Sequence, residues 1–217
     1  MNPNKPAQID TKPQTERPLP GDRFQMPGIF GKLLRENSET HDKLGELSLL
    51  TALSNPKVSR EQYLAALKKM YGLYVVLEPM LEQSTNWGLF GIKFDERRKL
   101  PLLEKDLRCF GVLSDELTEI PVCEDLPQLD TLSKALGCMA VVEGSTAGAT
   151  ATAQKLAVSE LGLKVDNGGA FFNNYGDKRN EMRANFARVV AQQNVNEVEF
   201  LSAGKETFET FYTWLSK

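Results

Sequence analysis

Histidine is the scarcest functional residue of this chain, since His41 is the only one among 217 residues. Cysteine occurs three times, and no two cysteines have the C-x-x-C spacing of a zinc site. The sequence therefore lacks the ligand set of a structural zinc centre. Three reduced thiols in a cytoplasmic protein are the simplest interpretation.

Long apolar runs and an excess of positive charge are also missing. The longest apolar stretch, residues 135–142, is interrupted by Gly137 and is too short to span a bilayer. The first residues contain no apolar segment of the kind found in secretory signals. A net charge of −3 disfavours general nucleic-acid binding, and basic clusters such as residues 97–99 are interpreted as solvated faces. We expect a cytoplasmic protein that binds neither membranes nor nucleic acid.

The chain divides into a tail and one domain. Six of the 11 prolines lie in residues 1–28, which are polar and show no periodicity. This composition predicts a flexible tail that is dispensable for stability. Residues 29–217 have helical periodicity and few alternating strand patterns. They predict a single all-α domain of about six to eight helices.

Six segments carry the helical patterns. In the second of them, Ser59 and Gln62 have the spacing of a capping box, and Pro79 is expected to end or bend the helix. The predicted segments are residues 30–44, 59–83, 97–113, 128–163, 178–194 and 196–217.

His41 falls on the apolar stripe of the first predicted helix. Phe30, Leu34, His41 and Leu44 share one face, so that the imidazole is predicted to point inward. A histidine in this position is either a core residue, a chance surface residue or a metal ligand. From the residues alone, the core interpretation is the commonest of the three.

The stretch EGSTAGATATAQ, residues 143–154, has few large side chains although it lies in a helical pattern. Because glycine destabilises a helix by about 1 kcal/mol relative to alanine, these small residues need a reason. A phosphate loop is excluded, because the spacing fits no phosphate-binding motif. Two interpretations remain: a close helix–helix crossing, or a helix whose bare backbone at Gly144 and Gly148 covers a flat ligand.

Six segments in order resemble the bacterial haem oxygenases that produce biliverdin. The resemblance covers residues 29–217, the whole chain beyond the tail. The segments that carry it are LLRENSETHDKL (33–44), EQYLAALKKMYGLYVVLEPML (61–81), KLPLLEKDLRCFG (99–111), LPQLDTLSKALGCMAVVEGSTAGA (126–149), GGAFFNNYGDKRNEM (168–182) and ETFETFYTWL (206–215).

The resemblance implies a fold and a reaction. Haem is expected to lie between a proximal and a distal helix and to serve as both substrate and cofactor. Oxygen and electrons from a ferredoxin- or flavin-type reductase then cleave the porphyrin to biliverdin, ferrous iron and carbon monoxide.

The same resemblance implies the central site residues. His41 is expected to bind the iron, and Gly144 and Gly148 to form the bare wall on the oxygen side. Ser145 and Thr146 are the candidates for hydrogen bonds to bound oxygen. An equally favoured alternative is that both hydroxyls bond back to carbonyls of their own helix.

Further residues are expected at the edge of the haem. Arg35 is the best candidate for a propionate contact, and Arg179 beside Lys178 is a second one. For Lys178 and Arg179, a solvated loop is the favoured alternative. Phe172 and Tyr175 are expected to cover the porphyrin edge, although aromatic residues at this spacing are more often core residues.

Four positions depart from the pattern of the family. Gly45 stands where many members carry a glutamate that hydrogen-bonds the imidazole, and Ala149 replaces a glycine of the distal helix. Ala140 and Met182 replace a tyrosine and a tryptophan. These departures keep open the alternative of a non-catalytic haem- or bilin-binding protein on the same scaffold. A further alternative is a related helical protein that binds another small molecule and no haem.

Overall fold

The computed structural model describes residues 27–217, which form an all-helical domain without a β-strand in that range. The predicted fold class is confirmed, whereas the prediction for residues 1–26 of the tail lies outside the described residues. The helices are α1 (Gly28–Glu36), α2 (Ser38–Glu46), α3 (Ser48–Ala52), α4 (Arg60–Gln83), α5 (Leu100–Cys109), α6 (Leu132–Ala157), α7 (Ala170–Asn173), α8 (Arg179–Gln192) and α9 (Glu197–Ser216).

The first predicted helix is divided in two at Asn37. The side-chain amide of this buried residue donates to Leu33 O at 2.9 Å, and its backbone leaves the helical region with φ −110° and ψ 16°. Asparagine side chains compete in this way with the backbone hydrogen bonds of a helix. The helical path resumes at once, because His41 N donates to Asn37 O at 2.9 Å.

Helix α4 begins as predicted, but it does not end at Pro79, which was one of the two expected outcomes. The capping box is confirmed, with Gln62 N donating to Ser59 Oγ and Ser59 N donating to Gln62 Oε1. Pro79 does not end the helix, which continues to Gln83. Leu77 and Leu81 are both buried, so that core packing on either side of Pro79 offsets the hydrogen bond that a proline removes.

Helix α9 packs against α1, α2, α4 and α6. Its contact with α6 is a backbone approach, because a Cβ atom at Gly137 would lie 2.2 Å from Phe200 O. At Gly204 a Cβ atom would lie 2.5 Å from a methyl group of Leu33 in α1. Glycine at these two positions therefore lets α9 lie close to its neighbours. The side chains of α9 that are buried with it are Phe200, Ala203, Thr207, Phe208, Phe211, Trp214 and Leu215.

The segment before α8 is fixed by two buried polar groups. Asp106 of α5 accepts hydrogen bonds from Ala170 N at 2.9 Å and Phe171 N at 2.8 Å, at the start of α7. Tyr63 of α4 donates to Gly168 O at 2.7 Å. These contacts tie the two phenylalanines that follow to the core.

We predict that Gly137→Ala destabilises the haem-free protein by about 1–3 kcal/mol, the usual cost of overpacking a core. Its methyl group would meet the backbone of Phe200, so that α6 and α9 have to separate. Gly148→Ala is the matched control, because the space around its Cβ is open, and alanine is the better helix former. Thermal melting measures both variants. Equal melting temperatures for Gly137→Ala and the unsubstituted chain would contradict the close contact of α6 and α9.

Candidate functional site

His41 lies on α2 with 45 % of its side chain exposed. Its ring meets Phe208 of α9 edge-on, with 6.3 Å between ring centroids and 69° between the planes. The predicted inward orientation is therefore only partly correct, since none of the residues of α2 is fully buried. Helix α2 covers α9 with one side, and the imidazole lies at the margin of that contact.

A carboxylate lies beside one nitrogen of the imidazole. Asp42 Oδ1 is 3.5 Å from His41 Nδ1, which is longer than an ordinary hydrogen bond. Gly45 is exposed and has nothing within 4 Å of the position that a Cβ would take. The carboxylate nearest to the ring in sequence is therefore adjacent to the histidine and not one helical turn later.

The small residues Gly144, Ala147 and Gly148 of α6 form a surface without large side chains, which we call the bare face. Gly144 and Gly148 are exposed, and a Cβ atom at either position would meet nothing within 4 Å. Ala147 between them is exposed as well. A helix–helix crossing thus explains Gly137 but does not explain Gly144 and Gly148, which face open space.

The two hydroxyls beside this surface bond to their own helix. Ser145 Oγ donates to Val142 O and Thr146 Oγ1 donates to Glu143 O, both at 2.7 Å. Thr146 is fully buried and so points away from the exposed face. Ser145 is exposed and its hydroxyl interacts with the buried Tyr74. The structure thus agrees with the alternative that both hydroxyls bond back to carbonyls of their own helix.

The two aromatic residues predicted at a ligand edge have partners in the core. Phe172 is buried, with its ring centroid 6.0 Å from that of Tyr63. Tyr175 donates its hydroxyl to Glu143 Oε1 at 2.6 Å. Their core role is therefore the one that the contacts support.

The predicted cations lie in different places. Arg35 is exposed near the end of α1, one turn and a half before His41. Arg179 lines an open cavity of about 490 Å³ together with Thr150 and Ala157 of α6. At about 100° per residue, these α6 residues lie on the side opposite Gly148. Arg179 is therefore behind α6 as seen from the bare face.

Buried charges adjoin the bare face, and they were not predicted from the sequence. Arg97 and Lys99 are only 4 % and 1 % exposed, so the interpretation of residues 97–99 as a solvated face is wrong for both. Arg97 Nη1 lies 2.9 Å from Glu143 Oε2, and Lys99 Nζ lies 3.7 Å above the ring of Tyr175. Glu78 accepts from the backbone N–H groups of Lys99 and Leu100. We call Glu78, Arg97, Lys99, Glu143 and Tyr175 the buried charge cluster.

Burial dominates the electrostatics of this cluster. It lowers the pKa of Lys99 to about 8, although Glu143 and Glu78 oppose the shift. It also raises the pKa of Glu78 and, together with the charge of Glu143, the pKa of Tyr175. Removal from water disfavours the charged form of every one of these groups. In the sequence, the one sign of this cluster is that Glu78 and Glu143 stand next to apolar residues.

Among residues 27–217, no group of three or more histidine, cysteine, aspartate or glutamate side chains is arranged to hold a metal ion. None of the three cysteines is in a disulfide bond. Within the same part of the chain, no helix is long and apolar enough to cross a membrane.

A family model described as heme oxygenase matches residues 29–217. The chain belongs to the haem oxygenase family. The match spans all described helices except the first residue of α1, and it covers both the bare face of α6 and the single histidine of α2. The family assignment made from six sequence segments is thereby confirmed.

One solved structure supports the fold independently. The structure of heme oxygenase from Leptospira interrogans aligns with 88 % of this chain and 99 % of its own chain, with a TM-score of 0.69 and 19 % sequence identity. At this identity the likeness establishes the haem oxygenase fold and no more. A comparison with curated protein sequences gives no significant match.

We predict that Tyr175→Phe destabilises the haem-free protein by about 1–3 kcal/mol, because it removes a hydrogen bond to a buried carboxylate. The phenylalanine keeps the ring below Lys99, so that only the contact with Glu143 is lost. Tyr212→Phe, at a partly exposed tyrosine of α9, is the control. Unfolding by urea gives both free energies. Equal stability of the two variants would mean that Tyr175 does not support Glu143.

Proposed function

We propose that the chain binds haem between α2 and α6 and cleaves it, with oxygen and external electrons, to biliverdin, ferrous iron and carbon monoxide. The observation that carries this proposal is the open, side-chain-free surface at Gly144 and Gly148. A protein has little reason to expose helix backbone in this way unless a flat ligand lies against it. Both this surface and His41 belong to helices that pack on α9.

The residues on the α2 side fit a haem iron. A neutral imidazole is a common axial ligand, and its second nitrogen needs a partner that orients the ring. Asp42 lies on the Nδ1 side of His41, so Nε2 is the nitrogen proposed to bind iron. Phe208 supports the imidazole ring from α9. The His41 side chain is nevertheless 45 % exposed, so that the imidazole is accessible to a ligand.

The residues on the α6 side fit the second face of a porphyrin. Without Cβ atoms at Gly144 and Gly148, the backbone can approach the ring plane closely and leaves little room for water. The bound haem supplies the activation of oxygen. The role of the chain on this side is to restrict where oxygen lies and to present the Ser145 hydroxyl, which must turn from Val142 O to reach a ligand.

Charge and partners complete the proposal. Arg35, exposed on α1 near the histidine helix, is proposed to meet a propionate. A ferredoxin- or flavin-type reductase is proposed as the electron donor, in the cytoplasm. Arg179 lies behind α6 and is the weaker propionate candidate.

A second function has its own support. Ser145 and Thr146 donate to helix carbonyls, and Gly45 offers no carboxylate to the imidazole. These features suit a haem or bilin carrier that binds without turnover. Aerobic incubation with haem and a reductase separates the two, because the carrier predicts an unchanged haem spectrum where the enzyme predicts biliverdin.

We predict that His41→Ala loses axial imidazole ligation of haem. No other histidine exists in the chain to replace it. Haem titration followed by absorption spectroscopy should give a histidine-type spectrum for the unsubstituted chain and a different one for the variant. Free imidazole should restore the first spectrum. If the variant keeps it without added imidazole, the ligand assignment is wrong.

We predict that Gly148→Leu folds normally yet loses biliverdin production at least tenfold. Open space around this position means that leucine does not overpack the haem-free protein, and leucine favours the helix. In the complex, the same side chain would fill the space for oxygen. Ala187→Leu adds similar bulk at an exposed position of α8 and is the control. Normal turnover of Gly148→Leu, with an unchanged melting temperature, would remove α6 from the site.

A further inference from the structure

The open cavity behind α6 has a volume of about 490 Å³ and lies on the side of the helix away from Gly148. Its walls come from α6 between Thr150 and Ala157, from residues 163–169 and from the turn into α8, residues 173–180. Sites for small organic ligands have volumes of roughly 300–1,000 Å³. This cavity, which we call the rear cavity, is therefore large enough for a small molecule.

The charges around the rear cavity favour an anion. Lys164 and Arg179 line it together with a single carboxylate, that of Asp177. Two positive side chains against one negative leave one positive charge, in a chain whose net charge is −3. Helix α8 also begins at Arg179 without a side-chain cap, and the first N–H groups of a helix carry partial positive charge. A ligand with one negative charge therefore suits this wall better than a neutral or cationic one.

Arg179 has an unused hydrogen-bond donor. Its Nε is buried and has no hydrogen-bond partner in the described part of the chain. A buried donor without a partner is costly, and an acceptor bound in the cavity would remove that cost. The Nε–H group and one terminal N–H group of a guanidinium are parallel and match the two oxygens of a carboxylate. A small turn of the guanidinium would bring the shielded Nε to such a ligand.

Apolar side chains form the remainder of the wall that a ligand would cover. Ala153 and Ala157 of α6 line the cavity together with Leu163 and Val165. Val165 is 44 % exposed, so that part of this apolar surface is open to water. An inorganic anion would leave these side chains uncovered, whereas an organic anion would bury them.

We propose that the rear cavity binds a small organic carboxylate, with its charged group on Arg179 and Lys164 and its apolar part against Ala153, Ala157 and Leu163. Asp177 limits the positive charge to one unit, which suits a monocarboxylate better than a phosphate dianion. The site needs no metal, since no histidine lines it. It is separate from the bare face and does not rest on the proposed function.

The site is tested on the haem-free full chain by titration with phenylbutyrate, a carboxylate on an apolar body, followed by amide NMR of isotope-labelled protein. We expect saturable shifts at residues 150–157, 163–169 and 173–180, and none at His41 or Gly144. The Kd should be about 1 mM or below, as is usual for a ligand of this size. Phenylbutylamine, which has the opposite charge, and inorganic phosphate, which has no apolar body, should each bind at least tenfold more weakly.

Two variants test the two halves of the site. Arg179→Gln should raise the Kd of phenylbutyrate about tenfold, because it removes the charged fork that holds the carboxylate. Ala157→Leu should raise it as well, because leucine at this exposed position fills the apolar part of the cavity without overpacking the core. Arg188→Gln is the matched control, since this exposed arginine of α8 does not line the cavity and donates to Gln192.

Thermal melting of each variant shows whether it folds, and Ala157→Leu decides the matter if Arg179→Gln does not. The proposal is overturned if phenylbutyrate gives no saturable shifts up to about 10 mM, a concentration that a site of this affinity would fill. Shifts confined to α2 and the bare face would also overturn it. So would equal binding of phenylbutylamine or phosphate, or a Kd that the folded variants leave unchanged.

Discussion

The close packing of α9 against α6 fixes the distance between the bare face of α6 and the exposed His41 on α2. At Gly137 the backbones of α6 and α9 approach within a distance that leaves no room for a Cβ atom. The same helix α9 supports His41 through Phe208 and receives Leu33 of α1 at Gly204. Any ligand held between α2 and α6 therefore depends on how α9 spaces them. The glycines of α6 divide accordingly into one that packs and two, Gly144 and Gly148, that face open space.

The buried charge cluster is the second constraint on α6. A buried ion pair contributes little net stability, because removing charges from water costs about as much as their attraction returns. We therefore infer that the pair of Arg97 and Glu143 serves to position α6 and adds little to stability. Glu143 directly precedes Gly144, and it is held by Arg97 and Tyr175 from two other segments. These contacts fix the rotation of α6 at the point where its bare face begins.

Much of the fold followed from the sequence because it depends on local rules. Helical periodicity, the capping box at Ser59 and the small-residue stretch of α6 each have a signature in one segment. The break at Asn37 was missed because a single side-chain hydrogen bond decides it. Pro79 was misjudged in part, since the packing of its neighbours outweighs the missing N–H group.

The candidate site was harder to predict because its contacts join distant segments. Residues 97–99 look like a surface run until Glu143 and Tyr175, more than forty positions later, are placed against them. Tyr175 looked like a ligand contact for the same reason. His41, Gly144 and Gly148 could be proposed beforehand, because a unique histidine and a run of small residues in a helix are visible in sequence alone. Their role as site residues stays a prediction.

The most direct measurement is a crystal structure of the complex with ferric haem. The porphyrin is predicted to lie between α2 and α6, with iron bonded to His41 Nε2 and the opposite face of the ring against Gly144 and Gly148. The open cavity behind α6, lined by Arg179, offers a different location without a histidine. Haem in that cavity, or iron without a bond to His41, would contradict the assignment of the site.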